Sequence, residues 1–211
     1  IDAPPYMGLE MAGVVASVGS ESSGFCVGDR VCSILRGGGY AEAVAADVSY
    51  LMPLPESYSF VEGGGLPEVF LTAYVNMFLE AGLESGEKVL IHGGASGVGT
   101  AAIQLAHHAG ATVCVTARSS SKLSVCRNLG ADVMVNHVVE DWEEVIRDAT
   151  GGVDVILDCV GGSYMSRNIR LLRPKGRIVC IATIGGSTAD LDIRELMQKR
   201  LRIIGSVLRS R

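Results

Sequence analysis

No two cysteines of this 211-residue chain stand in C-x-x-C spacing, so neither a redox pair nor a cysteine-rich zinc knuckle is spelled out. The six that are present (Cys26, Cys32, Cys114, Cys126, Cys159, Cys180) are scattered. Three of them sit in apolar runs, VCVTA, ILDCV and IVCIA, that read as buried strands. Free buried thiols in a reducing compartment, the cytoplasm, are the expectation. There is no surplus of positive charge: 18 Lys and Arg face 23 Asp and Glu, a net charge of −5, which speaks against a nucleic-acid partner. A late basic cluster, Lys199, Arg200, Arg202, Arg209 and Arg211, reads as a solvated helix end and tail. No apolar run reaches transmembrane length, so no membrane partner is expected. No signal peptide opens the chain, but its first residues, IDAPPYMGLE, do not look like a natural start and run straight into strand-like sequence. Nor is the chain poor enough in apolar residues to be disordered. At 48% hydrophobic and 19% charged, it can bury a core.

What is present falls into two patterns. Residues 9–18 (LEMAGVVASV) read as a strand, Gly28-Asp29-Arg30 as a turn into a second strand, VCSIL, and Tyr40–Ala45 as a third after Gly37-Gly38-Gly39. LMPLPESYSF (51–60) reads as a linker. Residues 68–81 carry apolar side chains at helical spacing and end at Gly82, a C-cap signal. From Lys88 onward, six short apolar runs (KVLIHG, TVCVTA, VMVN, VDVILDCV, RIVCIA, RIIGSV) alternate with helical segments. That alternation predicts a doubly wound, six-stranded parallel α/β sheet of the Rossmann type over 68–211, with part of a β-rich domain and linker over 1–67. The strands are almost wholly apolar, as helices on both faces require.

The sharpest local signal is Ile91-His92-Gly93-Gly94-Ala95-Ser96-Gly97-Val98-Gly99, where the first sheet strand turns into its helix. Gly97-Val98-Gly99-Thr100-Ala101-Ala102 fits G-x-G-x-x-A. A second register, from Gly94 to Gly99, fits G-x-x-G-x-G with Ser96 at its third position. A dinucleotide pyrophosphate needs bare backbone and a helix N-terminus at this place, so Ala95, Ser96, Gly97, Val98 and Gly99 are candidate cofactor contacts. At the end of the second strand, a carboxylate would select the 2′-hydroxyl of NAD. None occurs before Asp132; the strand runs instead into Arg118-Ser119-Ser120-Ser121-Lys122. Cations and hydroxyls suit a 2′-phosphate, which predicts NADPH, with Arg118, Ser119 and Lys122 at the phosphate. Ser119 or Ser120 can equally serve as cap of the next helix.

Gly8-Leu9-Glu10-Met11-Ala12-Gly13-Val14-Val15, Gly28-Asp29-Arg30-Val31, Gly38-Gly39-Tyr40-Ala41-Glu42 and Leu71-Thr72-Ala73-Tyr74 resemble motifs of the medium-chain dehydrogenase/reductase superfamily, in its quinone oxidoreductase (zeta-crystallin-like) branch. Ile156–Tyr164 and Gly205–Arg211 look most like the subgroup of the tumour-suppressor-inducible quinone oxidoreductase. The resemblance covers nearly the whole chain, and family members extend past it at both ends, so a fragment with a partial GroES-like domain is implied.

The resemblance implies more. Zinc-dependent relatives carry a His where this chain has Leu9 and a Cys at the position of Glu68, and their structural-zinc loop would hold only Cys32 here, so no metal is expected. Without a Lewis acid, the acceptor is expected to be a quinone or a conjugated carbonyl, with no named catalytic residue and solvent supplying the proton. A 2-alkenal or enoyl reductase and a catalytically silent NADPH-binding protein are the alternatives. Thr72 is placed beside the nicotinamide, or is an ordinary helical Thr bonded back to a carbonyl. Glu68 orients a water, caps its helix or complements the dipole of its first turn. His137 stands where relatives contact the adenosine phosphate, or is a surface His. Val160, Thr183 and Ile184 line the cofactor, and Ser206 and Leu208 reach its nicotinamide end. His107 and His108 point apart on one helix, one solvated and one packed. The strand at 202–207 is an expected sheet edge, pairing a homodimer.

Overall fold

A computed structural model describes residues 6–19 and 24–208; Arg209 and Arg211 of the basic cluster, and the first five residues, lie outside them. The chain divides into two compact units between Leu71 and Thr72.

In the first unit, β1 (Glu10–Val14), β2 (Arg30–Ile34) and β3 (Leu51–Pro53) form an antiparallel sheet in that order. Two expectations are corrected here. Tyr40–Ala45 is not a strand: no strand pairs with it, and 41–46 make no backbone–backbone hydrogen bond among the described residues. The supposed linker opens with β3 instead, opposite β2 with Ser33 against Leu51 and Val31 against Pro53. Pro53 is tolerated because β3 is an edge strand whose last residue needs no N–H toward a further neighbour. The short helix α1 (Phe60–Gly63) is held by a reciprocal cap between Ser59 and Glu62, and Arg30 stacks on Phe60, 4.2 Å from its centroid. The helix α2 (Pro67–Tyr74) opens with its Glu68 N–H bonded to Glu10 Oε2 at 2.9 Å. The cap of that backbone amide is therefore Glu10, not Glu68.

In the second unit, β4 (Lys88–His92), β5 (Thr112–Ala117), β6 (Val133–Asn136), β7 (Val153–Asp158), β8 (Leu172–Cys180) and β9 (Arg202–Gly205) form one parallel sheet, ordered β6-β5-β4-β7-β8-β9. The order reverses at β4, the switch point where a crevice opens beyond the carboxyl ends of the strands. β9 is an edge, as expected for 202–207, although the strand stops at Gly205. β8 starts at Leu172, earlier than the run RIVCIA suggested, through an irregular register beside Val153–Val155.

Between the strands run α3 (Gly97–His108), α4 (Ser120–Asn128), α5 (Trp142–Thr150), α6 (Tyr164–Leu171) and α7 (Ile193–Lys199). Leu90, Cys114, Ile156 and Ile178 bury one sheet face under Trp142 and Ile146 of α5, Ile169 and Leu171 of α6, and Leu201. α3 packs on β4 and β5, burying Ala101, Ala102, Ile103 and Ala106. All six cysteines are free. Cys114 is buried inside β5, whereas Cys159 and Cys180 are half-buried where their strands end. Burial pushes the Cys114 thiol up to about 12, so it stays protonated and inert.

Three details depart from a plain reading of the pattern. The helix that begins as α2 continues from Val75 to Glu80 as a π-helix before Gly82, at φ +61°, ends it. Lys199 is no free solvated charge: its ammonium donates to the carbonyls of Ile169 and Arg170, at 3.0 and 2.9 Å, at the C-terminal end of α6. His107 and His108 are both exposed, and the His107 ring covers Gly130.

Arg177, on β8, locks the end of the π-helix to the start of β4. It pairs with Glu87 at 2.7 and 2.8 Å, and donates to Ala81 O and Gly82 O at 2.7 and 2.6 Å. Its side chain is 12% exposed and that of Glu87 is 25% exposed. Replacing Arg177 with Met leaves one carboxylate and two carbonyls without their donor, and should cost about 2–3 kcal/mol in urea unfolding.

Candidate functional site

The turn after β4 is built around missing side chains. A Cβ on Gly99 would stand 2.4 Å from Gly93 O, and one on Gly94 would stand 2.8 Å from Val115 Cβ. These glycines are thus fixed by contacts within the protein, independently of any ligand. Ser96 caps α3, its hydroxyl accepting Gly99 N–H at 3.0 Å and its carbonyl accepting Thr100 N–H at 2.8 Å. No backbone acceptor meets the N–H groups of Ala95, Gly97 and Val98 among the described residues. Three donors and the positive end of a helix dipole converge there, which is the electrostatic requirement of an anion.

Beside that turn lies a cavity of about 360 Å³. Of the residues singled out from the sequence, Ala95, Ser96, Arg118, Lys122, His137, Val160 and Ile184 line it. Gly97, Val98 and Gly99 begin the adjoining helix. Ser119 is the N-cap of α4, receiving Lys122 N–H at 3.4 Å, so its capping role is realised. Arg118 and Lys122 form no ion pair among the described residues, and no carboxylate lines the cavity. The rim therefore carries two uncompensated cations.

Thr183, Ser206, Leu208 and Thr72 do not line this cavity. Thr183 is in the loop after β8 that carries Ile184. Ser206 and Leu208 follow β9, with Ser206 N–H bonded to Cys180 O at 3.1 Å and its hydroxyl buried with no hydrogen-bond partner among the described residues. Thr72 is buried on α2. Its hydroxyl makes no bond back to a helix carbonyl among the described residues, while its own carbonyl receives Asn76 Nδ2 at 2.7 Å.

Sequence reasoning passed over Tyr164, which lines the cavity, and a group of fully buried polar side chains beneath it. His92, the last residue of β4, contacts Thr116 Oγ1 through Nδ1 at 3.0 Å and Asn168 Oδ1 through Nε2 at 2.8 Å. Asn168 Nδ2 donates to Asp158 Oδ2 at 3.2 Å. Asp158 Oδ1 also accepts the N–H groups of Val160 and Gly161, at 2.7 and 3.1 Å. The only signal available in the sequence was position: a polar residue closing an otherwise apolar parallel strand, as in KVLIH, TVCVT and VDVILD.

The Leu9 side chain cannot coordinate, Glu10 is engaged with the backbone of α2, and no three His, Cys, Asp or Glu side chains converge among the described residues. The free amides of Ala95, Gly97 and Val98 and the cationic rim suit the phosphates of a dinucleotide.

The fold and this turn define a doubly wound nucleotide-binding domain, and the first unit is part of a GroES-like one. Family comparison agrees. Residues 97–211 match the zinc-binding dehydrogenase family and residues 1–56 match the alcohol dehydrogenase GroES-like domain. The chain belongs to the medium-chain dehydrogenase/reductase superfamily. It is 36% identical to a quinone oxidoreductase of Mus musculus, over 98% of this chain and 63% of that protein. It is also 43% identical to the spectinabilin polyketide synthase system protein NorB of Streptomyces orinoci, over 82% of this chain and 8% of that protein. Among solved structures, the CurK enoyl reductase superposes with a TM-score of 0.85 at 35% identity, covering 97% of this chain and 61% of that one. An Escherichia coli quinone oxidoreductase complexed with NADPH superposes at 0.87 and 28% identity, covering 98% and 66%. The chain thus spans less than two thirds of the curated relatives it matches.

Two outcomes follow from the geometry. Gly99→Ala forces the turn apart, and should cost about 1–3 kcal/mol of stability and abolish nucleotide binding in calorimetry. Burial holds His92 below its ordinary value of 6.5, with the Asp158 carboxylate only partly offsetting it. The unfolded chain therefore takes up this proton before the folded one does. Stability is full above about 6.5 and falls as pH drops from there through the lowered value. Denaturation midpoints measured across this window should decline in the wild type and flatten in His92→Gln.

Proposed function

We propose that this chain is the cofactor-binding part of a zinc-free reductase that uses NADPH to reduce a quinone. The observation that carries the reading is the juxtaposition of unpaired amides at the mouth of α3 with unpaired cations at the cavity rim. The amides of Ala95, Gly97 and Val98 hold the pyrophosphate, while Arg118 and Lys122 hold the 2′-phosphate, with Ser119 ordering the turn between them. His137 adds an imidazole to the same wall. Val160, Thr183 and Ile184 flank the dinucleotide where β7 and β8 end. Ser206, Leu208 and Thr72 serve its nicotinamide end. The cofactor supplies hydride from C4 of its nicotinamide; the protein positions it, excludes water and leaves the proton to solvent. Leu9 in place of a coordinating side chain supports a metal-free acceptor chemistry, hence an electron-poor quinone or conjugated carbonyl. The free edge of β9 supports a homodimer. The inert, buried Cys114 thiol is in keeping with a cytoplasmic protein.

A second acceptor, an enoyl group, is favoured by the 35% identity to the CurK enoyl reductase. Consumption of NADPH with 1,4-benzoquinone but not with an enal or enoyl thioester supports the first reading; the reverse supports the second; tight NADPH binding without turnover of either identifies a silent binding protein. Changing Arg118 and Lys122 together to Ala should weaken NADPH binding roughly tenfold to a hundredfold and leave NADH unaffected, as measured by calorimetry. An equal loss for both nucleotides overturns the assignment of the two cations.

A further inference from the structure

We propose that His92 is a positioning residue: a directed chain of hydrogen bonds through its neutral imidazole ties the phosphate-binding turn to the β7–α6 turn, so that two walls of the cofactor cavity move as one. This deepens the function proposed above and rests on it for its ligand.

Donor and acceptor chemistry sets the direction of the chain. Asn168 gives its Nδ2 to Asp158, so the atom it turns to His92 is Oδ1, an acceptor. His92 must then carry its proton on Nε2. With one proton on the ring, Nδ1 is an acceptor and takes the Thr116 hydroxyl hydrogen at 3.0 Å. Thr116 Oγ1 has lone pairs left, and Gly93 N–H reaches it at 3.4 Å. At the far end, Asp158 gathers the amides of Val160 and Gly161. The path therefore runs from Gly93 through Thr116, His92 and Asn168 to Asp158 and the backbone of the opposite wall. Gly93, Thr116 and Val160 all line the cavity.

The same residues contain a hydroxyl, an imidazole and a carboxylate, but they are not a nucleophile–base–acid triad. The Thr116 hydroxyl is held against the His92 ring in a residue only 1% exposed, and its role there is to bond the imidazole and the Gly93 amide. The interposed Asn168 carboxamide transmits a hydrogen bond but holds no proton to pass on. It also keeps the Asp158 carboxylate out of direct contact with the ring, so the pair does not become imidazolium and carboxylate. What the arrangement retains is rigidity. Each ring nitrogen of His92 has its own partner, and the imidazole meets Trp142 and Tyr164 edge-on, at 4.8 and 5.0 Å between centroids. A buried hydrogen-bonded network of this kind holds one geometry, because any shift strands a polar group away from water. Three N–H groups, of Val160, Gly161 and Asn168, solvate the buried Asp158 carboxylate in place of water.

The test uses two near-isosteric variants, Thr116→Val and Asn168→Leu, each cutting the chain on one side of His92. Amide exchange followed by NMR without nucleotide should show Val160 and Gly161 exchanging about tenfold faster in Thr116→Val, and Gly93 and Gly94 about tenfold faster in Asn168→Leu. Each effect lies across the cavity from its cause. The double variant should be no worse than the more affected single, since both cut one chain. NADPH and NADH should weaken by one common factor, about tenfold, unlike the loss expected at Arg118 and Lys122. Imidazole nitrogen shifts at neutral pH should report Nε2 protonated and Nδ1 bare. The proposal is overturned if each variant disturbs only its own wall, even with a lowered melting temperature, or if the ring carries its proton on Nδ1. A wild type that binds neither nucleotide sinks the proposed function, while the exchange measurements still decide whether the chain couples the walls.

Discussion

Helix α3 can sit on the sheet only because Gly99 has no side chain. Its Cα side faces the carbonyl of Gly93 at a separation that no Cβ fits, while Gly94 lies as closely against Val115. This approach brings the first turn of α3 over the end of β4. The result is a patch of backbone donors with nothing to bond to, held at the switch point of the sheet. The position of the cavity, the direction of α3 and the exposure of the Ala95, Gly97 and Val98 amides all descend from that one steric allowance. The glycines are usually explained by the ligand; here the protein's own packing already demands two of them.

The architecture of the second unit could be read from the chain because parallel strands covered on both faces are written as continuous apolar runs, and six of them alternate with helical spacing. The glycine turn and the lack of a carboxylate after β5 are also local facts, carried by consecutive residues. The first unit was less legible. Tyr40–Ala45 has the composition of a strand but no partner, and strand identity depends on pairing. β3 was hidden by Pro53, which marks an edge as readily as a linker. The Glu10 cap on α2 joins residues far apart in sequence, whereas capping by Glu68 was only one of three roles its local position allowed.

The polar group under the cavity escaped notice for the same reason. Thr116 meets His92 because β4 and β5 pair in parallel with those two residues in register. Asn168 arrives from α6, and Asp158 from the end of β7. No spacing in the sequence connects them. What was visible was that each closes an apolar strand or faces one. In a doubly wound sheet, the ends of the strands are where burial and ligand chemistry meet, so polar residues placed there carry more information than their number suggests.

Trp142 has been treated as packing, yet it is the only tryptophan in the chain. Its ring is almost wholly buried, Arg167 lies 4.3 Å above it and Tyr164 is stacked beside it. All indole emission from this molecule therefore originates one side chain away from the cavity wall. The protein carries its own optical reporter of the cavity wall, shielded from water and read through Tyr164.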